Sequence, residues 1–248
     1  MMQHKKQNHT VNKYYMHGKH AVFAAINNPK RRIEKIYCLE KIFHEYQQIF
    51  TKNKARPEMV SNDFINKKIG LNQPHQGIIA YVNSVFLDNV NNMNFTETND
   101  KIVILDQITD PQNIGAIIRS AAAFGVNKII LPADNTPEEN ASIAKAASGC
   151  LELVQIAKVV NLKSAIETLK KKGFWIAGLD TQGENTPEKL KKFEKIAVII
   201  GSEGKGMRRL TLEACDLLVK IPISGNVESL NAASAASIVF YALGSVTN

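Results

Sequence analysis

The sequence predicts an α/β protein in two parts: a small basic module, then a larger domain built on a parallel sheet. Three observations carry that reading. Short apolar runs, such as residues 101–105 (KIVIL), 128–131 (KIIL) and 196–200 (IAVII), alternate with helix-period segments. That is the pattern of parallel strands covered on both faces. Charge is unevenly divided, with 14 Lys and Arg against 5 Asp and Glu in residues 1–82, a net +9, while the remainder sums to −1. Between the two parts, residues 84–99 (SVFLDNVNNMNFTETN) are rich in Asn and Thr and lack a period. They read as a semi-flexible linker that lets the first module reorient.

Composition excludes several classes. Of 248 residues, 44% are hydrophobic and 22% charged, the balance of a folded domain protein. No apolar run approaches the ~20 residues of a membrane span. The opening MMQHKKQNHT has no apolar stretch and does not read as a secretory signal. Cys38, Cys150 and Cys215 are odd in number and far apart, which fits a reducing, cytoplasmic setting. All six histidines lie at or before His75, without a Cys or carboxylate cluster, so no metal site is expected.

Residues 1–12 read as a disordered basic tail and 13–83 as the first domain. There, residues 18–27 (GKHAVFAAIN) form a helix burying Val22, Phe23 and Ile26, closed by Asn28-Pro29. Residues 33–39 read as a strand, 40–52 as a helix and 59–60 as a short strand. Ser61 starts another helix and 77–82 (GIIAYV) closes the unit as a buried strand. A basic module beside a neutral domain suggests a grip on a polyanion.

The second domain, 100–248, begins with the strand 101–106. Asp110-Pro111 ends the following loop, Asn113 is an N-cap candidate, and 114–124 is an almost wholly apolar helix. Arg119 is the one charged residue between Asp110 and Lys128. Two roles stay open for it: an ion pair with Asp106 or Asp110, or a contact with a substrate phosphate. Further on, 128–131, 151–156, 174–179 and 196–200 read as strands. Residues 137–147 and 161–172 read as helices, the latter capped by Asn161. The loop IGSEGKGMRR lacks phosphate-loop spacing, and Glu203 would repel a phosphate, so it suits a neutral or cationic ligand. A last helix, from about Ser229, is dense in Ala and Ser. It is either tightly packed or open to close approach by a ligand. Three segments of this domain follow strands and should meet at one sheet edge, where such folds bind ligands.

Those segments, DQITDPQNIGAIIRSAAAFG, IGSEGKGMRR and IPISGNVESLN, resemble in order and spacing the motifs of the SpoU family of RNA ribose 2′-O-methyltransferases. The module bracketed by GKHAVFAAI and HQGIIAYV is similar to the N-terminal domain of that family's RlmB-type subgroup, itself like kink-turn-binding ribosomal proteins. The resemblance implies a trefoil-knotted SPOUT-class domain, a homodimer, and S-adenosylmethionine as cofactor. It implies methylation of a guanosine in large-subunit ribosomal RNA. Gly201, Ile221 and Leu230 match the family's cofactor positions. Asn113, Arg119, Glu203, Ser229 and Asn231 match the polar positions around the reacting centre, with Arg119 activating the hydroxyl and Glu203 the more ordinary base. Transfer RNA as substrate, and a non-catalytic RNA-binding assembly factor, remain the other readings.

Overall fold

A computed structural model describes residues 12–244; of the tail read over residues 1–12, residues 1–11 lie outside them, and Asn12 is held by hydrogen bonds with Glu139 and Ser84. The first unit opens on strand β1 (Lys13–His17), which sequence reading missed because one of its two buried residues is a histidine. Helix α1 (Lys19–Asn27) buries Val22, Phe23 and Ile26 as expected. Strand β2 (Ile33–Cys38) leads to α2 (Glu40–Glu45) and α3 (Gln47–Lys52), where one helix was expected. The break is at Tyr46, whose ring centroid lies 4.4 Å from that of Phe23. Strand β3 (Glu58–Met59) precedes α4 (Asn62–Ile69), whose cap Ser61 accepts from the Phe64 amide. Strand β4 (Ile78–Asn83) is central in a sheet ordered β1-β4-β2-β3.

The second unit is a six-stranded sheet, parallel throughout, ordered β10-β8-β9-β5-β6-β7. Its strands are β5 (Asp100–Leu105), β6 (Lys128–Pro132), β7 (Gln155–Val159), β8 (Trp175–Leu179), β9 (Lys195–Ile200) and β10 (Leu217–Val219). Helix α5 (Pro111–Ala123) starts three residues earlier than read. Asp110, not Asn113, is its cap, and Pro111 takes the first helical position, where its missing N–H costs nothing. The expected helix at 137–147 shrinks to α6 (Ala141–Ala146), capped by Asn140. The strand expected at 151–156 is a 3-10 turn, Cys150–Leu153, followed by β7; Gly149, at φ 88°, turns the chain into it. Helix α7 (Leu162–Lys171) carries the predicted Asn161 cap and buries Leu162, Ala165, Ile166 and Leu169, spaced as one helical face. Helices α8 (Arg209–Glu213) and α9 (Ala232–Leu243) complete the domain.

Residues 84–99 are not a free linker. The Leu87 amide donates to the Ile156 carbonyl at 2.8 Å and its carbonyl accepts from the Lys158 amide at 2.7 Å. Val90 and Met93 are buried in the core on the α7 face of the parallel sheet. Asn-rich composition suggested looseness, but Leu87, Val90 and Met93 give the segment enough apolar contact to pack.

The two units are also joined by a buried ionic network, so free reorientation of the first is ruled out. The Arg31 guanidinium reaches Glu139 and Glu152, both at 2.5 Å. Tyr14 Oη and Ser84 Oγ each donate to Glu139 at 2.8 Å, and the Val85 amide donates to it at 2.7 Å. Asn28 donates to Glu152 at 2.7 Å. One apolar core continues across this junction, from Met16 and Val22 to Ile114 and Ile143.

Candidate active site at the strand carboxyl ends

Strands β8, β9 and β10 end at Leu179, Ile200 and Val219. The loops that follow them enclose a cleft of about 450 Å³. Its wall includes Gly201, Glu203, Ile221, Ser229 and Leu230, five of the eight site residues expected from sequence. Glu203 and Ser229 are exposed there, and Ile221 and Leu230 are half-buried.

The loop 201–207 is shaped by glycine. A Cβ on Gly201 would lie 2.3 Å from the Gly206 carbonyl carbon, so only hydrogen fits. Ser202 and Gly206 exchange backbone hydrogen bonds of 3.1 and 2.9 Å, and Gly206 adopts φ 64°. The result is a tight backbone hook with Glu203 and Lys205 at its tip. Gln107 Nε2 donates to the Gly206 carbonyl at 3.2 Å, tying the hook to the end of β5. Asp106, fully buried, accepts from the Arg208 amide at 2.8 Å and from Arg208 Nε at 2.7 Å.

That pairing corrects one of the roles left open for Arg119. Asp106 is occupied by Arg208, and Asp110 caps α5 through the Gln112 amide. Among the described residues Arg119 makes no ion pair, and it is exposed on α5. Asn113 and Asn231 meet each other: Asn231 Nδ2 donates to Asn113 Oδ1 at 3.1 Å, while Asn231 caps α9 through the Ala233 amide. Ser237 donates to Ser120 at 2.8 Å, so α9 lies along α5. Asn113, Arg119 and Asn231 therefore sit on the α5–α9 pair and not in the cleft wall of their own chain.

Sequence reading missed Asp180, Thr181 and Glu228, which also line the cleft. Asp180 and Thr181 had a signal: they directly follow a strand of the sheet that carries the motifs. The Asp180 amide donates to the Val219 carbonyl at 2.9 Å, and Lys220 donates to the Asn185 carbonyl at 2.8 Å. The loop after β8 thus runs against the end of β10. A Cβ on Gly183 would sit 2.6 Å from the Val219 carbonyl carbon.

Comparison with known proteins follows the same division. The SpoU rRNA methylase family model matches residues 100–241, and the model described as RNA 2′-O ribose methyltransferase substrate binding matches residues 15–86. The chain is 36% identical over 236 residues to the 23S rRNA (guanosine-2′-O-)-methyltransferase RlmB of Coxiella burnetii, covering 91% of this chain and 93% of that protein. It is 36% identical over 234 residues to an uncharacterized tRNA/rRNA methyltransferase of Synechocystis, spanning 61% of that protein's length. Among solved structures it resembles the SpoU methyltransferase AviRb of Streptomyces viridochromogenes in complex with AdoMet, at TM-score 0.81 and 19% identity over 93% of this chain and 89% of that one. It also resembles an AdoMet-bound rRNA methyltransferase of Sinorhizobium meliloti, at TM-score 0.79 and 20% identity over 93% and 86%. At these identities the structural likeness is one of fold.

Proposed function

The chain belongs to the SpoU rRNA methylase family, and we propose that it transfers a methyl group from S-adenosylmethionine to the ribose 2′-hydroxyl of a guanosine in large-subunit ribosomal RNA. The observation that carries this reading is the cleft, where the second and third motifs meet although eleven residues, holding most of α8 and all of β10, separate them. Its chemistry fits the cofactor. Asp180, Glu203 and Glu228 stand against one lysine, Lys205, which suits a sulfonium. Leu179, Ile200, Ile221 and Leu230 offer an apolar wall for an adenine, and Gly201 lets backbone come close. When bound, S-adenosylmethionine supplies an electrophilic methyl carbon.

What the protein must supply is alignment of the ribose oxygen and removal of its proton. Glu203, exposed at the tip of the hook, is a carboxylate free to take that proton. Arg119 lies off the cleft of its own chain, which supports a role toward the cleft of a second copy. Exposed Ile238 (40%) and Tyr241 (74%) on α9, beside α5, supply an apolar face for such a homodimer. The reading includes a knotted chain, supported by the close crossing of the loop after β8 with the end of β10. It also includes a cytoplasmic setting, a kink-turn-binding character for the first unit and phosphate contacts made by its exposed lysines.

The test is to map ribose 2′-O-methyl groups in total RNA from cells with and without the protein. Loss of a methyl group at one guanosine of the large-subunit RNA is expected. Loss confined to a transfer RNA would replace the substrate, and an unchanged map would remove the activity. Mixing Arg119→Ala with Gly201→Ala protein should restore methylation in mixed dimers, whereas no restoration would return Arg119 to the cleft of its own chain.

A further inference from the structure

Two lysine-rich runs, 170–175 (KKKGFW) and 189–195 (KLKKFEK), are far from the cleft and were absorbed into a net charge of −1 for the second domain. Parallel pairing of β8 with β9, which sets Trp175 opposite Ile196, brings them together. They meet at the amino ends of these strands, roughly 13 Å from the carboxyl ends at 3.3 Å per residue. The chain's one tryptophan, Trp175, is 51% exposed there, its ring centroid 5.0 Å from that of Phe193. Lys195 Nζ donates to the Lys172 carbonyl at 3.2 Å and lies 5.7 Å from the centre of the Phe174 ring. Lys171 and Lys192 are exposed and make no ion pair among the described residues. Within the two runs Glu194 is the one carboxylate.

Lys170 is paired with Asp216, which leaves Lys171 and Lys192 as the exposed cations. A half-exposed tryptophan packed on a half-buried phenylalanine, with these two lysines in the same runs, has the two elements that hold single-stranded nucleic acid: a face for a base and cations for the backbone. We propose that this pole of the catalytic domain is a second RNA-binding surface, on which a base of a single-stranded segment stacks on Trp175 while Lys171 and Lys192 meet its phosphates. The inference rests on the RNA-modifying reading above and extends it: the substrate is gripped at the pole opposite the chemistry as well as by the first unit.

Because the chain has one tryptophan, its fluorescence reports on this surface and no other. The probe is oligouridylate added to the full chain. Quenching of Trp175 is expected, with a salt dependence that loses about 0.7 in slope for each phosphate contact removed. The exposed double charge reversal Lys171→Glu with Lys192→Glu should weaken the quenching titration on the order of tenfold at low salt, with calorimetric affinity for S-adenosylmethionine unchanged. RNA that binds by filter assay without quenching Trp175 would overturn the proposal and leave the methyltransferase reading intact. Absence of both RNA binding and methyl transfer would overturn that reading instead. Equal quenching by polyglutamate would make the pole a docking site for acidic proteins and overturn the RNA assignment.

Discussion

Arg208, not Arg119, takes the buried ion pair that sequence alone could not assign. Arg208 holds the buried Asp106 from 102 positions away, a pairing no local pattern reveals, whereas the isolation of Arg119 in an apolar helix is visible in the sequence. With its structural partners taken, Arg119→Ala should change stability by less than about 0.5 kcal/mol, as for an exposed unpaired residue. Single-turnover methylation should fall by about 10²–10⁴. Thermal melting beside RNA methylation checks this, and a large melting drop would return Arg119 to a structural role. His17 makes a second case at this scale. It is 4% exposed, with Nδ1 unpartnered. Burial first, then Lys145 and His75, hold its pKa below the ordinary value, and burial does the same to His75. The unfolded chain therefore takes up a proton near pH 6.5 that the folded chain refuses. Stability is fully present above that pH and falls as the pH drops through it toward the lower folded value. Urea unfolding at pH 7.5 and 5.5 should reveal the loss, and His17→Gln should reduce it.

The strands of the parallel sheet were largely legible because they are continuous apolar runs of β-branched residues, and α7 because Asn161 and its 3.6-residue face agree. Local capping chemistry was harder. Asp110 and Asn113 are both good caps, and the choice between them turned on Pro111 fitting the first helical position. Glycine roles were hardest, since they depend on what lies opposite. A Cβ on Gly115 would stand 2.4 Å from the Ala146 Cβ and 2.8 Å from the Ile143 carbonyl, where α5 and α6 touch. A Cβ on Gly201 would instead displace the hook over the cleft. Gly115→Ala should cost about 1–3 kcal/mol of stability, an overpacked core contact, and leave cofactor affinity of the folded fraction intact. Gly201→Ala should do the reverse, weakening S-adenosylmethionine binding by at least about tenfold, or 1.4 kcal/mol, with a smaller change in melting. Melting and calorimetry on the pair separate the two; equal loss of affinity in both would deny the hook its role.

At the scale of the whole molecule, charge counting saw the basic first unit but misjudged one of its members. Arg31 is one of the 14 basic residues whose excess suggested a grip on a polyanion, yet it is 5% exposed and bound to Glu139 and Glu152 of the second unit. Two carboxylates face one guanidinium, and the surplus negative charge is met by neutral donors: Tyr14, Ser84, Asn28 and the Val85 amide. Such a network fixes the angle between the units, because its donors come from β1, from the turn after α1 and from the segment after β4. Removing one partner leaves the other charges buried, which costs roughly 3–5 kcal/mol. Arg31→Met should therefore lower stability by about that amount, and the Arg31→Met, Glu139→Gln, Glu152→Gln triple variant should recover much of it by removing the stranded charges. Deleting residues 1–83 should behave like the single variant made worse, since it also bares the apolar surface of α6 and of the 3-10 turn Cys150–Leu153 that packs against α1 and β1. The truncated chain is expected to aggregate, and to hold S-adenosylmethionine only when Glu139→Gln and Glu152→Gln accompany the deletion. Chemical unfolding of the four proteins, with light scattering of the truncations, decides the matter. A truncated chain with native carboxylates that stays monodisperse and binds cofactor with full affinity would mean that the units are independent and the network contributes little.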